Sequence, residues 1–462
     1  MYTIVNDPIS KLACTVGARR VLDSRAAAGR ATSYWNSAPM QARALVMPGS
    51  TSEVAEVLRT CHGHRQSVVT QGGLTNCVAA VEPTLDDVVL STEKMAGIVE
   101  IDTVGGTALV EAGAVLENVQ QAVAAEGLCF PLDFGARGSC TIGGNIATNA
   151  GGINVLRYGM TRNLVLGLET VLADGTVVSS LNRMLKNNAG YDTKQVFIGT
   201  EGSLGIVTRA VLRLFPEPGS RQDALVACSA FDDAVALLGR LQSGLAGTLS
   251  AFEIMWGDYY REVTGDGGHR APLPRAYSYY LAVQAEGSDP ATDDARFERV
   301  LGEALDAGEI VDAVVAKSAG EAQEIWNIRE QFEAIQQLEP YIIYDVSLPI
   351  RDMEEYIADV ERSLEARMPG TRVFTFGHVG DGNLHLFVCP PRAEDYYNVA
   401  NECVYDPLEP LGGSVSAEHG IGTSKLRWLP HSRSQADIAL MRTLKRSLDP
   451  DNILNPGRVV PA

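Results

Sequence analysis

The sequence has no long apolar run: nothing in it approaches the roughly 18 consecutive apolar residues that a bilayer crossing needs. Basic charge is scarce, with 38 Lys and Arg against 57 Asp and Glu, a formal net charge of −19. A field of that sign repels phosphodiester backbones and anionic lipid, which argues against nucleic-acid or membrane-surface partners. The cysteines (Cys14, Cys61, Cys77, Cys129, Cys140, Cys228, Cys389, Cys403) contain no C-x-x-C pair, so neither a thiolate zinc site nor a redox dithiol is indicated. The start, MYTIVNDPISKLAC, lacks both a basic flank with an apolar core and an Arg/Ser-rich amphipathic pattern. These absences predict a cytoplasmic protein with reduced thiols. What is in excess is glycine, 45 of 462 residues or about one in ten, against a usual share near 7%.

At 462 residues and 45% apolar composition, the chain can bury two or three cores. Residues 1–37 read as a helical lead-in rich in Ala and Arg. ALVMPGSTSEVAEVLRTCHGHRQSVVTQGG then reads as strand, proline stop, capped helix, strand and glycine loop, a βαβ unit. From Asp86 to Phe215 come β-branched runs divided by Asp-Gly and Gly-Gly turns, until Pro-Glu-Pro-Gly at 216–219 breaks the pattern. Strands such as DALVACSA, YSYYLAVQAEG, YIIYDVSLPI and RVFTFGHV then alternate with acidic amphipathic helices, which predicts a second, α+β domain. The expected boundaries are 1–37, 38–217, 218–411 and 412–462, the last holding one polar motif, a helix and the ending DPDNILNPGRV. No internal repeat or low-complexity stretch is present.

Seven glycines fall within the 25 residues GARGSCTIGGNIATNAGGINVLRYG (135–159), where the chain average gives about two or three. Small residues fill the gaps, so backbone N–H groups can approach a ligand, through positive φ and anion-binding concavities. QGGLTNC (71–77) and GTEGSLG (199–205) have the same character. None of the three matches a P-loop, and none is expected to open a helix as a G-x-G-x-x-G nicotinamide site does. A phosphate-bearing, extended ligand other than NAD fits them.

The three loops, in this order and spacing, resemble the FAD-binding module of the vanillyl-alcohol oxidase and p-cresol methylhydroxylase type. From about Ala38 to Arg458 the chain is similar to the flavin-dependent D-2-hydroxy-acid dehydrogenases. The resemblance implies an α+β fold, with a two-part FAD-binding module, an α+β cap domain built on an antiparallel sheet, and a helical C-terminal segment returning to the flavin. It implies that Gln71, Gly72, Gly73, Leu74, Thr75 and Asn76 take the pyrophosphate. Pro131, Gly138, Ser139, Ile142, Gly143, Asn145, Thr148, Gly151 and Gly152 would line the flavin. Glu201, Gly202, Gly205, Ile206 and Val207 would lie by the adenosine half, and Asn455 at the isoalloxazine. The first loop holds no histidine, so FAD is expected to be noncovalent.

Three of the seven histidines stand in GHVGDGNLHLFV and SAEHGIG. Asp381-Gly382 reads as a type I′ turn, and a two-residue hairpin closed there pairs His378 with His385. Cross-strand Cβ atoms lie roughly 4.5–5.5 Å apart, close enough for two imidazoles to share a metal ion. On the residues alone, Glu418-His419 stays open between a fold role and a ligand role. The resemblance places a metal-ligand glutamate at Glu418 and a catalytic histidine at His419. With His378 and His385, Glu418 completes a set suited to Zn²⁺, Mn²⁺ or Fe²⁺, with zinc the first choice.

Arg329, in EAQEIWNIREQFEAIQQL, is open between a solvated helix-surface arginine and a grip on a substrate carboxylate; the resemblance implies the grip. It also implies substrate contacts for Asn383, Lys186 and Asn188. The implied activity is metal-assisted oxidation of a D-2-hydroxy acid to a 2-oxo acid, with His419 taking the hydroxyl proton and FAD the hydride. Electrons would pass on to a quinone, a cytochrome or an electron-transfer flavoprotein, and a homodimer is allowed for. D-2-hydroxyglutarate dehydrogenases hold the distal carboxylate with a threonine four residues after the arginine and a lysine two before the aspartate of Y-D-x-S. Here those positions carry Glu333 and Ile343, which predicts a monocarboxylic, lactate-like or longer substrate. D-2-hydroxyglutarate itself, an oxygen-using oxidase, a flavin-binding sensor without turnover and a non-redox zinc hydrolase are the competing readings.

Overall fold

The computed structural model describes residues 7–391 and 396–461. The chain divides into two compact units, one of residues 1–151, 159–217 and 418–462, the other of 152–158 and 218–417.

The first unit holds two main sheets and a short two-stranded ladder, Leu128–Cys129 antiparallel to Phe215–Pro216. In the smaller, Val21–Asp23, Ala44–Val46, Val88–Ser91 and Val68–Gln71 lie in that order; the first pair is antiparallel, and Ala44–Val46 and Val68–Gln71 each run parallel to Val88–Ser91. The βαβ unit is therefore present with a later strand inserted at its centre. Its helix, Thr51–Gly63, starts where Ser50 Oγ accepts from Glu53 N (3.2 Å) and Glu53 reaches back to Gly49 N (2.7 Å). Val54, Val57, Leu58 and Cys61, spaced three and four apart, bury against Val46, Val68, Val88 and Leu90. The expected helical lead-in is interrupted: Val21–Asp23 leaves the helix Pro8–Val16 behind and pairs with Ala44–Val46, because Gly17, at φ 90°, turns the chain. The other sheet is fully antiparallel, in the order Ile98–Asp102, Thr107–Glu111, Ile206–Arg213, Val165–Val171, Val177–Ser180.

The second unit is one seven-stranded antiparallel sheet, in the order Asp312–Val315, Ser220–Cys228, Tyr279–Gly287, Leu249–Trp256, Arg372–Gly377, Asn383–Cys389, Ile342–Ser347. Its predicted helices form at Phe231–Gly244, Pro290–Asp306 and Met353–Arg367, each burying one apolar stripe, such as Ala234, Leu237, Leu238 and Leu241. Truncating a fully buried leucine such as Leu237 to alanine would cost roughly 2–5 kcal/mol. Among the described residues no helix is long and apolar enough to cross a membrane.

Candidate active site

In the first unit the three glycine loops pack directly on one another. A Cβ on Gly72 would lie 2.5 Å from Thr141 Oγ1, and one on Gly73 would lie 2.1 Å from Ser139 O and 2.8 Å from Cys140 Cα. Neither glycine has positive φ; Leu74 does, at 60°. Bare backbone is needed at 72 and 73 for close approach between loops, and the left-handed turn falls on a leucine instead. The second loop also departs from expectation by opening a helix, Ile142–Thr148, with Thr141 Oγ1 accepting from Gly144 N (3.3 Å). Gly143 fits there because a side chain would meet the Cβ of Ala112 at 2.7 Å. Gly152, at φ 84°, opens the 152–158 segment of the second unit, while Gly138 and Ser139 stand exposed and Pro131 is buried.

The third loop is tied to both ends of this floor. Glu201 N donates to Ala147 O (2.8 Å), and the Glu201 carboxylate accepts from Ile421 N (2.7 Å) and Gly422 N (2.9 Å). Burial pushes the Glu201 carboxyl up to about 7 despite these two donors, which favour the anion. Asn455 accepts from Thr70 N through Oδ1 (2.9 Å) and donates through Nδ2 to Glu201 O, so it clamps the first loop to the third. His419 belongs to the same unit, its carbonyl accepting from Asn76 Nδ2 (3.4 Å). The cradle suits a bound dinucleotide. Among the described residues Asn145 Nδ2 is buried with no hydrogen-bond partner, a donor that a ligand atom would satisfy.

Lys186 and Asn188 stand exposed on the loop that follows Val177–Ser180.

In the second unit the hairpin forms with a different register. His385 is opposite Phe376, not His378, because the ladder stops at Gly377 and Val379–Asp381 makes a 3₁₀ turn. Val379 is buried at 1% exposure, which draws the turn inward, and Asp381 N and Asn383 N both donate to His378 O. Gly382 keeps the left-handed conformation (φ 89°) that an Asp-Gly turn predicts. The two imidazoles still meet, with ring centroids 5.3 Å apart at 79°. On the chain just past this unit's last residue stands Glu418. The preceding segment is pinned by paired Ser347–Ser414 backbone bonds and by Ser416 Oγ donating to Asp345 (3.3 Å). Ligand atoms of His378, His385 and Glu418 all lie within 4.8 Å of one another.

Two buried carboxylates that the sequence reading missed support this set. Glu253, on Leu249–Trp256, accepts from His378 Nδ1 (2.6 Å), which makes Nε2 the ring's ligand atom. Asp345, in register with His385, lies 3.8 Å from its Nδ1 and accepts from Asn383 Nδ2 (3.0 Å). Asn383 Oδ1 is buried without a partner. Two imidazoles beside a carboxylate, each imidazole facing a second carboxylate, fit a divalent metal. The only signal for Glu253 in the sequence was one charge amid the apolar strand LSAFEIMW.

Arg329 is buried at 5% exposure. Its helix runs Ala319–Glu330 and then breaks at an extended Gln331, so the single long helix expected there is two. Trp326 Nε1 donates to Asp223 (2.6 Å), and Tyr259 Oη donates to Arg329 O (3.0 Å), fixing the helix end. The guanidinium bonds Glu253 and lies 4.6 Å over the Phe376 ring. Burial alone would raise the Glu253 carboxyl, but its interactions with His378 and Arg329 outweigh it and hold the group below the usual carboxylate range.

Two family models match the chain: "FAD binding domain" over residues 42–180 and "FAD linked oxidases, C-terminal domain" over 217–459. The chain is 36% identical over 450 residues to a protein of Arabidopsis thaliana named "D-2-hydroxyglutarate dehydrogenase, mitochondrial", covering 96% of this chain and 80% of that protein. It is 37% identical over 435 residues to the D-2-hydroxyglutarate dehydrogenase of Xanthomonas citri pv. viticola, covering 93% and 90%. Among solved structures, p-cresol methylhydroxylase with substrate bound aligns at a TM-score of 0.77 with 18% identity, covering 100% of this chain and 98% of that one. Alkyldihydroxyacetonephosphate synthase aligns at 0.75 with 17% identity, covering 97% and 84%. The fold is thus that of the vanillyl-alcohol oxidase and p-cresol methylhydroxylase flavoproteins, and the chain belongs to the FAD-linked D-2-hydroxy-acid dehydrogenases, oxidoreductases acting on CH–OH.

Proposed function

We propose that this dehydrogenase oxidises a monocarboxylic D-2-hydroxy acid, lactate-like or longer, with the help of a divalent metal held by His378, His385 and Glu418. The observation that carries the substrate reading is the wall around Ile343. Ile343 packs with Phe332 and Tyr341 against a cluster containing Phe376 and Phe387, and Glu333 is exposed. A side chain of the substrate that met these groups would gain from being apolar and would find no cation for a second carboxylate.

Arg329 takes the substrate carboxylate with a planar donor set. Asn383 orients the substrate through its Oδ1. His419 accepts the hydroxyl proton as the 2-oxo group forms. A metal ion, when bound, supplies a Lewis acid that eases loss of that proton, and noncovalent FAD supplies the hydride acceptor. Zinc is the first choice for the ion, with Mn²⁺ or Fe²⁺ as alternatives. Gln71–Asn76, the 131–152 residues named above, Glu201–Val207 and Asn455 would hold the flavin; Lys186 and Asn188 would add substrate contacts. Electrons leave to a quinone, cytochrome or electron-transfer flavoprotein, in a cytoplasmic enzyme.

The second reading is D-2-hydroxyglutarate, favoured by the names that the relatives carry. Anaerobic flavin bleaching against a panel of hydroxy acids decides between them. D-lactate and D-2-hydroxybutyrate should bleach the flavin fastest, and chelation with verified metal loss should slow them. A strong preference for D-2-hydroxyglutarate would overturn the monocarboxylic assignment.

A further inference from the structure

We infer that Glu253 is a positioning residue for the oxidation, a single buried carboxylate that sets the ligand nitrogen of His378 and the orientation of Arg329 together. The inference rests on the site reading given above and concerns a residue outside the proposed ligand and substrate sets.

Glu253 lies on a strand paired on both sides, next to Ile254, which is in register with Gly377, the last ladder residue before His378. It is 1% exposed, and its neighbours Phe252 and Ile254 are equally buried. A lone carboxylate there would cost several kcal/mol, and even a paired one gives little stability over an apolar side chain of the same volume. Its two oxygens are divided between two partners. Oε1 takes His378 Nδ1 at 2.6 Å; Oε2 takes Arg329 Nε at 2.9 Å and Nη2 at 2.8 Å.

Each bond has a consequence for the chemistry. A carboxylate at Nδ1 requires the proton there, which leaves the lone pair on Nε2, where Arg329 Nη2 lies 3.4 Å away and the ligand set converges, and the ring becomes a stronger donor. The Nε–Nη2 edge of Arg329 is occupied and one face of the guanidinium lies on Phe376, so Nη1 is the donor left to meet a substrate carboxylate. Because the same carboxylate sets both groups, disturbing it weakens metal and substrate binding together.

The test uses FAD-loaded protein carrying Glu253→Gln, which keeps the volume but turns an N–H toward His378 and so inverts its tautomer. Zn²⁺ affinity, read by equilibrium dialysis of chelator-treated protein with elemental analysis, should fall 10–100-fold. KM for the preferred hydroxy acid should rise at least tenfold with the flavin spectrum unchanged. In a His378→Ala background the same change should leave Zn²⁺ affinity within twofold while the KM effect persists. Glu253→Asp, which keeps the charge, should restore part of one or both effects, and serves as the test if Glu253→Gln does not fold. Wild-type Zn²⁺ affinity and KM in a folded, flavin-loaded variant would overturn the proposal. If the unmodified enzyme turns over fully after verified metal loss, it is the metal reading that fails. The KM arm then decides alone, and an unchanged KM overturns the role of Glu253.

Discussion

The glycine loops of the first unit and the charged strands of the second prepare for ligands by opposite means. At Gly72, Gly73 and Gly143 the fold depends on atoms that are missing, since each Cβ would fall within 2.1–2.7 Å of a neighbouring loop or strand. At Glu253, Arg329, His378, Asp345 and His385 it depends on side chains that are present, buried and mutually bonded. The first arrangement offers backbone donors at little cost in desolvation, which suits a large, fixed cofactor. The second keeps charges out of water, which suits a small anionic substrate that must be held strongly through few atoms.

The most severe way to break this contrast is to fill the first site. Gly73→Ala places a Cβ against backbone that cannot give way, and should cost more than about 4 kcal/mol and abolish flavin content, read from the flavin-to-protein absorbance ratio. Gly135→Ala is the control, because nothing lies within 4 Å of the position its Cβ would take, and it should keep its flavin. If Gly73→Ala purifies yellow with full occupancy, close approach is not what that glycine is for.

Somewhat smaller is the effect of stripping one charge from the second site. Arg329→Met leaves Glu253 with only His378 and should lower stability by about 3–5 kcal/mol in urea unfolding of the flavin-loaded protein. Glu253→Gln combined with it should recover part of that loss. No recovery would mean that packing, and not the unpaired carboxylate, accounts for the cost.

The smallest effect sharpens the contrast, because Glu201 is a charged group within the backbone-built site. Its carboxyl is raised from 4.5 to about 7, so the folded state holds a proton that the unfolded chain releases. Its stabilising contribution is present below pH 4.5 and lost as pH rises toward 7, on the order of 3 kcal/mol in all. Measured as Tm against pH, wild type should lose ground relative to Glu201→Gln across that window. A constant difference would show that the two backbone donors from Ile421 and Gly422 offset burial.

Legibility followed the same division. The strand and helix pattern of both units could be read from periodicity, because period two and period 3.6 are local properties of the chain. The flavin loops could be read from composition, since a missing Cβ is visible as glycine wherever backbones must touch. Their detailed use could not: Gly73 is required by Ser139 and Cys140, more than sixty residues away, and not by its own φ. The hairpin showed a subtler failure. Asp381-Gly382 correctly marked the turn, yet burial of Val379 shifted the ladder by two residues, so the two histidines meet through a 3₁₀ turn and not across a pair.

By itself the sequence determined the α+β class, the family and the three glycine loops, because these rest on local pattern and on chemistry carried by short motifs. Only the tertiary structure decided that Arg329 is buried and that Glu253 and Asp345 stand behind the histidines. Glu253 is 76 residues from Arg329 and 125 from His378, and no local rule pairs a lone strand glutamate with partners so distant. A buried charge is placed by whatever the folded chain brings to neutralise it, and the order of the strands together with the helix packed on them fixes which groups those are.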